Sequence, residues 1–344
     1  MANSQGRAVK TLRISGSPHQ RGAAHGAAIA HRLRTFLDDG LARLHHLSDQ
    51  RYRLEDLRER IEAHRQIVTS VIPDLAAEID GVATGAGLSR DEAWLLQLRR
   101  EILGYHRFTT GDCTTYSSTQ GTVPILAQTV DLNGNLDDQV AVLEVQAGRR
   151  SLILSFAGLL GYLGVNDAGV AVGINLVLGG RWQPGVPPYL AVRHVLDTAT
   201  CVEEAIATLQ TLPLSSSRAF TICDGDRIVC VEALEERRGI LEDSELIHTN
   251  HYLHPPFALE DEINPFALTS SKRRWEAVRG WGIPQTDDPE AHRKLLASPP
   301  VCVADNGDIR RERTVAAIAA YPTRGQLTVW PGNPANAPAH LLQL

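Results

Sequence analysis

About a third of the way along the 344-residue chain, Gly111-Asp112-Cys113-Thr114-Thr115-Tyr116-Ser117-Ser118 places a thiol where the residue pattern changes from helical to alternating. A cysteine followed by two threonines and an alternating run reads as the first position of a strand. If the chain is cut just before it, Cys113 becomes an N-terminal residue with both a thiol and an α-amine. That amine titrates near neutral pH and can accept the thiol proton, so one residue supplies nucleophile and base. The competing reading is a buried structural cysteine. Further polar residues at strand ends lie downstream: Asp131, Asn175 and Asn250.

The elements that must position these groups fall into two parts. Residues 9–14 alternate as a short strand and Ser15-Gly16-Ser17-Pro18 breaks it. Residues 20–47 repeat apolar side chains at helix spacing, with a small-residue first half predicted to be buried. His19 and His25 there read as packed or capping residues. Residues 54–72 form a second helix stopped by Pro73, and 75–84 a third with Gly85 as its C-cap. Ser89-Arg90-Asp91-Glu92 is a capping box opening a fourth, through 103. Beyond Cys113 come β-rich runs at 123–128, 140–145, 151–156 and 170–177, with Asn166-Asp167-Ala168-Gly169 as a hairpin turn. Helices follow at 188–197 and 202–212, then a hairpin of 219–223 with 228–233 and a strand at 245–249. Helices at 270–281 and 289–296 and strands at 314–320 and 326–330 complete the pattern, and the Pro-rich tail reads as irregular. This order predicts a layered α+β domain, with helices covering antiparallel sheets.

Composition narrows the function. The net charge is −6, and the arginines are interleaved with Asp and Glu, so they read as solvated helix faces and not a nucleic-acid surface. Five cysteines with no CxxC pair suggest neither a disulfide framework nor a zinc ribbon. No run is long enough to span a membrane, and residues 1–16 lack the apolar stretch of a secretory leader, which predicts a cytoplasmic protein. The glycines of 158–164 do not form GxGxxG and read as tight strand packing. No GxSxG elbow or Walker loop occurs. His248 and His251 would alternate across a strand, so a metal site is not expected. No cofactor is called for.

The ordered motifs resemble the acyl-coenzyme A:6-aminopenicillanic acid acyltransferase family, the peptidase C45-like group of N-terminal-nucleophile hydrolases. The resemblance runs through Gly22-Ala23-Ala24-His25-Gly26, Cys113-Thr114-Thr115, Ala127-Gln128-Thr129-Val130-Asp131, residues 164–172, Gly185-Val186-Pro187 and His248-Thr249-Asn250-His251, to a strand entry at 311–314. It implies a four-layer αββα sandwich of antiparallel sheets flanked by helices. It also implies a precursor that cuts itself between Asp112 and Cys113, giving a helix-rich α segment (1–112) and a β segment (113–344) that stay associated as one structural domain. The chemistry it implies is autoproteolysis by an N-to-S acyl shift, then a thioester to Cys113 resolved by water or an amine.

By the same resemblance, Asp131 orients the freed amine, Asn250 holds the oxyanion, Arg311 is the late-strand arginine, and Asn175 and Thr115 assist. Each has a plain structural alternative, since Asp and Asn commonly build turns and caps. Two departures stand out. Asp112 occupies a position where glycine is common, removing its conformational freedom and bringing a carboxylate near the thiol. The family's Ser-Arg pair is replaced by Arg310-Arg311-Glu312-Arg313, so register shifts to Arg310 or Arg313 stay open, and the penicillin-type substrate is in doubt. The expected partner is a small N-acyl amide or peptide-like molecule, with acyl-coenzyme A as a further acyl donor. The rival expectation is an unprocessed, catalytically degenerate relative serving as a binding or scaffold protein.

Overall fold

A computed structural model describes residues 9–104 and 113–344. β1 (Lys10–Ile14) leads into α1 (Pro18–Asp38), whose start is set by Ser17. The Ser17 hydroxyl accepts from the Gln20 amide at 3.4 Å, and the Gln20 side chain accepts from the Ser17 amide at 2.9 Å. The predicted helix over 20–47 is broken. Gly40, Leu41, Ala42 and Arg43 all take positive φ before the short α2 (Leu44–Leu47). Arg43 anchors this turn, donating to the Gly134 and Asn135 carbonyls at 2.8 Å and to Asp138 at 2.6 Å. Tertiary bonds to one guanidinium thus override helical periodicity.

α3 (Leu54–Val71), α4 (Pro73–Ala86) and α5 (Arg90–Leu103) complete the helical segment. Gly85 is not the C-cap of α4; that role falls to Gly87, at φ 63°. Gly85 instead lets α1 approach, since a Cβ there would stand 2.0 Å from the Ala23 carbonyl oxygen. A Cβ on Gly22 would stand 1.8 Å from that of Glu78. The first half of α1 is therefore buried on one face, at Arg21, Gly22, His25 and Gly26, while Ala24, Ala27 and Ala28 face solvent.

The remainder comprises β2 (Thr114–Ser118), β3 (Ile125–Leu132), β4 (Val140–Gln146), β5 (Arg150–Phe156), β6 (Leu163–Asn166) and β7 (Ala171–Leu176), then α6 (Pro188–Thr198) and α7 (Val202–Thr211). β8 (Arg218–Cys223), β9 (Ile228–Leu234), β10 (Arg237–Glu242) and β11 (Glu245–His248) follow. α8 (Pro255–Ala258), α9 (Pro265–Trp281) and α10 (Pro289–Leu296) precede β12 (Arg313–Tyr321), β13 (Gln326–Pro331) and β14 (His340–Gln343). β10 was not evident from residue pattern, and β14 corrects the irregular tail.

The strands form an eight-stranded sheet, β1-β4-β5-β6-β7-β8-β9-β10, and a six-stranded sheet, β11-β2-β3-β12-β13-β14. Every strand pair is antiparallel except β1–β4, which is parallel. The sheets face each other through β2, β3, β7 and β8. α6 and α7 cover the outer face of the larger sheet, and α9 and α10 that of the smaller. β2, β3 and β7 are buried along their whole length, as strands covered on both faces must be. The result is a four-layer αββα sandwich. One apolar cluster includes Leu33 and Leu96 of the helical segment with Val130, Val142 and Val165 of the sheets. No helix among the described residues is long and apolar enough to cross a membrane.

A buried ion cluster joins the helical segment to the sandwich. Arg193 on α6 donates to both oxygens of Glu78 on α4, at 2.9 and 3.0 Å, and to Asp197 at 2.9 Å. Arg21 on α1 reaches Glu78 at 2.9 Å. Burial opposes the charge on Arg193, but Asp197 and Glu78 outweigh it and raise its pKa. Glu78→Gln removes the carboxylate charge that two buried guanidinium groups share. It should destabilise the protein by about 3–5 kcal/mol in urea unfolding, and an unchanged midpoint would refute the cluster's role.

His25 lies near this cluster with both ring nitrogens buried and bonded to no described residue. Burial pushes its pKa down to about 4; Glu78 resists, while Arg193 and Arg32 assist. Between that value and the ordinary 6.5 the unfolded chain binds a proton that the folded chain does not, so stability must fall as pH drops through this window. The thermal midpoint of the wild type should decline from pH 7 to pH 4. His25→Leu should flatten that decline by up to about 3 kcal/mol; identical slopes would contradict it.

Candidate active site

The site is assembled where the two sheets meet the helical segment. Cys113 stands immediately before β2, 2% exposed, with φ of 29°. Positive φ is costly for a residue with a Cβ, and such strain persists only where the surroundings impose it. Asp112 lies outside the described residues. The Cys113 sulfur is 3.8 Å from the Tyr162 hydroxyl. Tyr162 stacks on Tyr189, with ring centroids 5.2 Å apart, and meets Phe156 edge-on at 5.1 Å. The glycine-rich 158–164 segment does pack tightly, as expected, since a Cβ on Gly161 would lie 2.5 Å from the Tyr189 carbonyl. It also delivers Tyr162 to the thiol, which the glycine pattern did not reveal.

The Cys113 carbonyl is held from both sheets. It accepts from Asn175 Nδ2 at 3.2 Å and from Arg274 Nη1 at 2.6 Å. Asn175 is the penultimate residue of β7, and its Oδ1 accepts from the Thr115 hydroxyl at 2.7 Å. Beside this bridge Gln128 on β3 donates to the Ile174 carbonyl at 2.7 Å and accepts from the Ile174 amide at 3.0 Å. Asn250 follows β11; Arg274 Nη2 donates to its Oδ1 at 2.6 Å, and its Nδ2 donates to the Leu176 carbonyl at 2.9 Å. Asp131 is buried on β3 opposite Thr314 of β12, whose hydroxyl donates to Asp131 Oδ1 at 2.6 Å.

Thus Cys113, Thr115, Asn175 and Asn250 form one hydrogen-bonded group, and Asp131 sits two residues along β3 from Thr129, which accepts from the Thr114 amide at 3.2 Å. Arg311 does not join them. It is exposed on the turn before β12, with Arg310 paired to Asp308 at 3.1 Å and Arg313 paired to Asp137 and Asp305. Local carboxylates hold those arginines outside. The arginine that reaches the cysteine is Arg274, which residue patterning missed. A signal was present: Ala267, Ser271, Arg274 and Val278 recur at helix spacing on the buried stripe of α9, so an arginine stands where apolar side chains belong. His248 and His251 go to different partners, Glu232 at 2.8 Å and Ser271 at 2.8 Å.

Cys113 opens on a cavity with about 240 Å³ of empty volume, lined also by Arg100, Leu132, Tyr162, Ile174, Leu176, Tyr189 and Arg218. It shares Arg100, Leu132, Tyr162 and Tyr189 with a neighbouring space of about 510 Å³, bounded by Leu96, Leu103, Leu136, Phe156 and Leu159. A thiol beside a tyrosine hydroxyl, at a cleft whose polar groups converge on the sulfur and which continues into an apolar space, is suited to attack on an acyl carbon.

Fold and site together define the class: an αββα sandwich of two facing sheets with a cysteine at the head of an inner strand. The chain belongs to the acyl-coenzyme A:6-aminopenicillanic acid acyl-transferase family, whose model matches residues 118–336. That span holds Asp131, Asn175, Asn250 and Arg274 and begins just beyond Cys113. The acyl-coenzyme A:6-aminopenicillanic-acid-acyltransferase 40 kDa form of Emericella nidulans is 26% identical over 260 residues, covering 73% of this chain and 71% of that one. Among solved structures, penicillin V acylase from Agrobacterium tumefaciens aligns at TM-score 0.47 and 14% identity, covering 67% of this chain and 86% of that one. The Caenorhabditis elegans N-acylethanolamine-hydrolyzing acid amidase ortholog aligns at 0.46 and 15%, covering 61% and 93%. Family membership supports acyl transfer or amide hydrolysis as the chemistry.

Arg274 and Asn250 act on the site as a unit in this geometry. A thermodynamic cycle of Arg274→Gln, Asn250→Ala and the double variant should show a coupling of about 0.5–3 kcal/mol in unfolding free energy. Strict additivity would argue against it.

Proposed function

We propose that this protein is a self-processing N-terminal-cysteine amidohydrolase or acyltransferase acting on a small N-acylated or peptide-like molecule. The observation that carries the reading is the buried Cys113 thiol at the head of β2, facing a cavity from a residue held at positive φ. In processing, the sulfur attacks the Asp112 carbonyl carbon. A C–S bond forms, the C–N bond to Cys113 breaks, and the thiol proton passes to the released α-amine. Water then cleaves the thioester, returning the thiol and leaving Asp112 as a carboxylate. Relief of the Cys113 strain favours this direction, which answers the loss of a preceding glycine.

In turnover the α-amine takes the thiol proton as sulfur adds to the substrate carbonyl, and gives it to the leaving amine. Asp131, oriented by Thr314, positions that amine. Asn250, oriented by Arg274, stabilises the developing oxyanion with Asn175, and Thr115 fixes Asn175. Water resolves the thioester in hydrolysis; an acceptor amine resolves it in acyl transfer, for which acyl-coenzyme A is a further donor. The α segment (1–112) remains on the β segment (113–344) through the Glu78–Arg193 cluster and the shared apolar core. The rival role, an unprocessed binding or scaffold protein, predicts an intact chain.

Intact-mass spectrometry distinguishes the two. Wild type should give two fragments divided between Asp112 and Cys113, and Cys113→Ala a single uncut chain. With an acylated amine library, wild type should release amine, and hydroxylamine should intercept the acyl group. A single wild-type mass together with no thiol-reagent-sensitive turnover would overturn the proposal in favour of the scaffold role.

A further inference from the structure

Arg218 opens β8 and lines the cavity that holds the Cys113 sulfur. It is 2% exposed, and its Nη1 donates to the adjoining Ser217 carbonyl at 2.6 Å. Its Nη2 is buried and hydrogen-bonded to no described residue. No carboxylate among the described residues forms an ion pair with it. The nearby Glu232 is occupied by His248 and by the Leu253 and His254 amides, and Asp261 by the Tyr252 and Ile263 amides. The guanidinium is nonetheless held in place. Its centre lies 5.1 Å from the Trp182 ring and 5.8 Å from the Tyr189 ring. Trp182 is itself fixed by a 3.1 Å bond to Ser217, whose hydroxyl donates to the Val177 carbonyl at 2.7 Å.

A buried cation without a counter-charge costs several kcal/mol, so a fold that fixes one at a cavity wall leaves a position for an anion. The planar fork of a guanidinium matches a carboxylate in particular. Arg193 offers the internal comparison: equally buried, it is matched by Glu78 and Asp197. Resting on the functional reading above, we infer that the substrate carries a carboxylate, bound by Arg218, a few bonds from the carbonyl that Cys113 attacks. The short spacer follows from the size of the cavity the two residues share. The apolar space beyond Tyr162 and Tyr189 takes the hydrocarbon part. The carboxylate can stand on the amine side, as in an N-acyl amino acid, or on the acyl side, as in the half-amide of a short dicarboxylic acid.

The test uses binding and turnover on the wild-type protein, Arg218→Met and Arg218→Lys. In calorimetry, hexanoate should bind wild type about 10- to 100-fold more tightly than hexanamide. Arg218→Met should erase that difference, and Arg218→Lys, which keeps the charge without the fork, should keep part of it. The lysine variant carries the test if the methionine variant does not fold. In turnover, N-hexanoylglycine should be favoured over N-hexanoylglycinamide if the carboxylate stands on the amine side. Glutaric acid mono-benzylamide should be favoured over its methyl ester if it stands on the acyl side. Equal affinity for hexanoate and hexanamide in wild type, or a preference that survives Arg218→Met, overturns the inference. A wild type that discriminates the two probes but turns over no amide would instead sink the functional reading and leave the anion site standing.

Discussion

A guanidinium removed from water must be matched, and this constraint organises the molecule. Arg193, Arg218 and Arg274 are among the largest side chains the fold buries completely. Arg193 is matched by two carboxylates and thereby fastens α4 to α6. Arg274 is matched by the Cys113 carbonyl, the Thr114 hydroxyl and the Asn250 side-chain carbonyl. Arg218 is matched by the Trp182 and Tyr189 ring faces, and the proposed substrate carboxylate would complete the match. Fold, site geometry and the proposed anion site are three answers to one electrostatic requirement.

Cys113 sits where the two sheets exchange polar contacts. Asn175 binds the Cys113 carbonyl from the larger sheet, Gln128 binds Ile174 from the smaller, and Asn250 spans back to Leu176. Because the paired strands are covered on both faces, these side chains take partners from the protein interior and not from water. A partly satisfied network in such surroundings would be unstable, so the network fixes the sheets in register and holds Cys113 at a backbone angle it would otherwise avoid. The helical segment closes the pocket through Leu96, Leu103 and Arg100, so the residues before Cys113 form part of the cavity wall.

Much of this was legible in residue order. The capping box at Ser89, the hairpin turn at Asn166 and the strand opening at Cys113 follow from local chemistry, because a cap or a tight turn is decided by residues a few positions apart. Family motifs pointed to Cys113, Asp131, Asn175 and Asn250. The break in the first helix was not legible, because it depends on Arg43 reaching Gly134, Asn135 and Asp138. Nor was the placement of the arginines: Arg311 reads as a site residue by proximity to a motif, but Asp308, Asp305 and Asp137 engage its neighbours at the surface. Gly85 reads as a cap and serves as a helix contact.

The sequence by itself determined the layered α+β architecture and singled out Cys113 as the candidate nucleophile, since periodicity and the thiol at a strand head are properties of neighbouring residues. Only the tertiary structure decided which arginine meets the cysteine, that Tyr162 lies against its sulfur, and that Arg218 is buried with no carboxylate partner among the described residues. Those facts turn on which groups distant in the chain exclude water from one another, and solvation in a packed interior is a property of the whole fold.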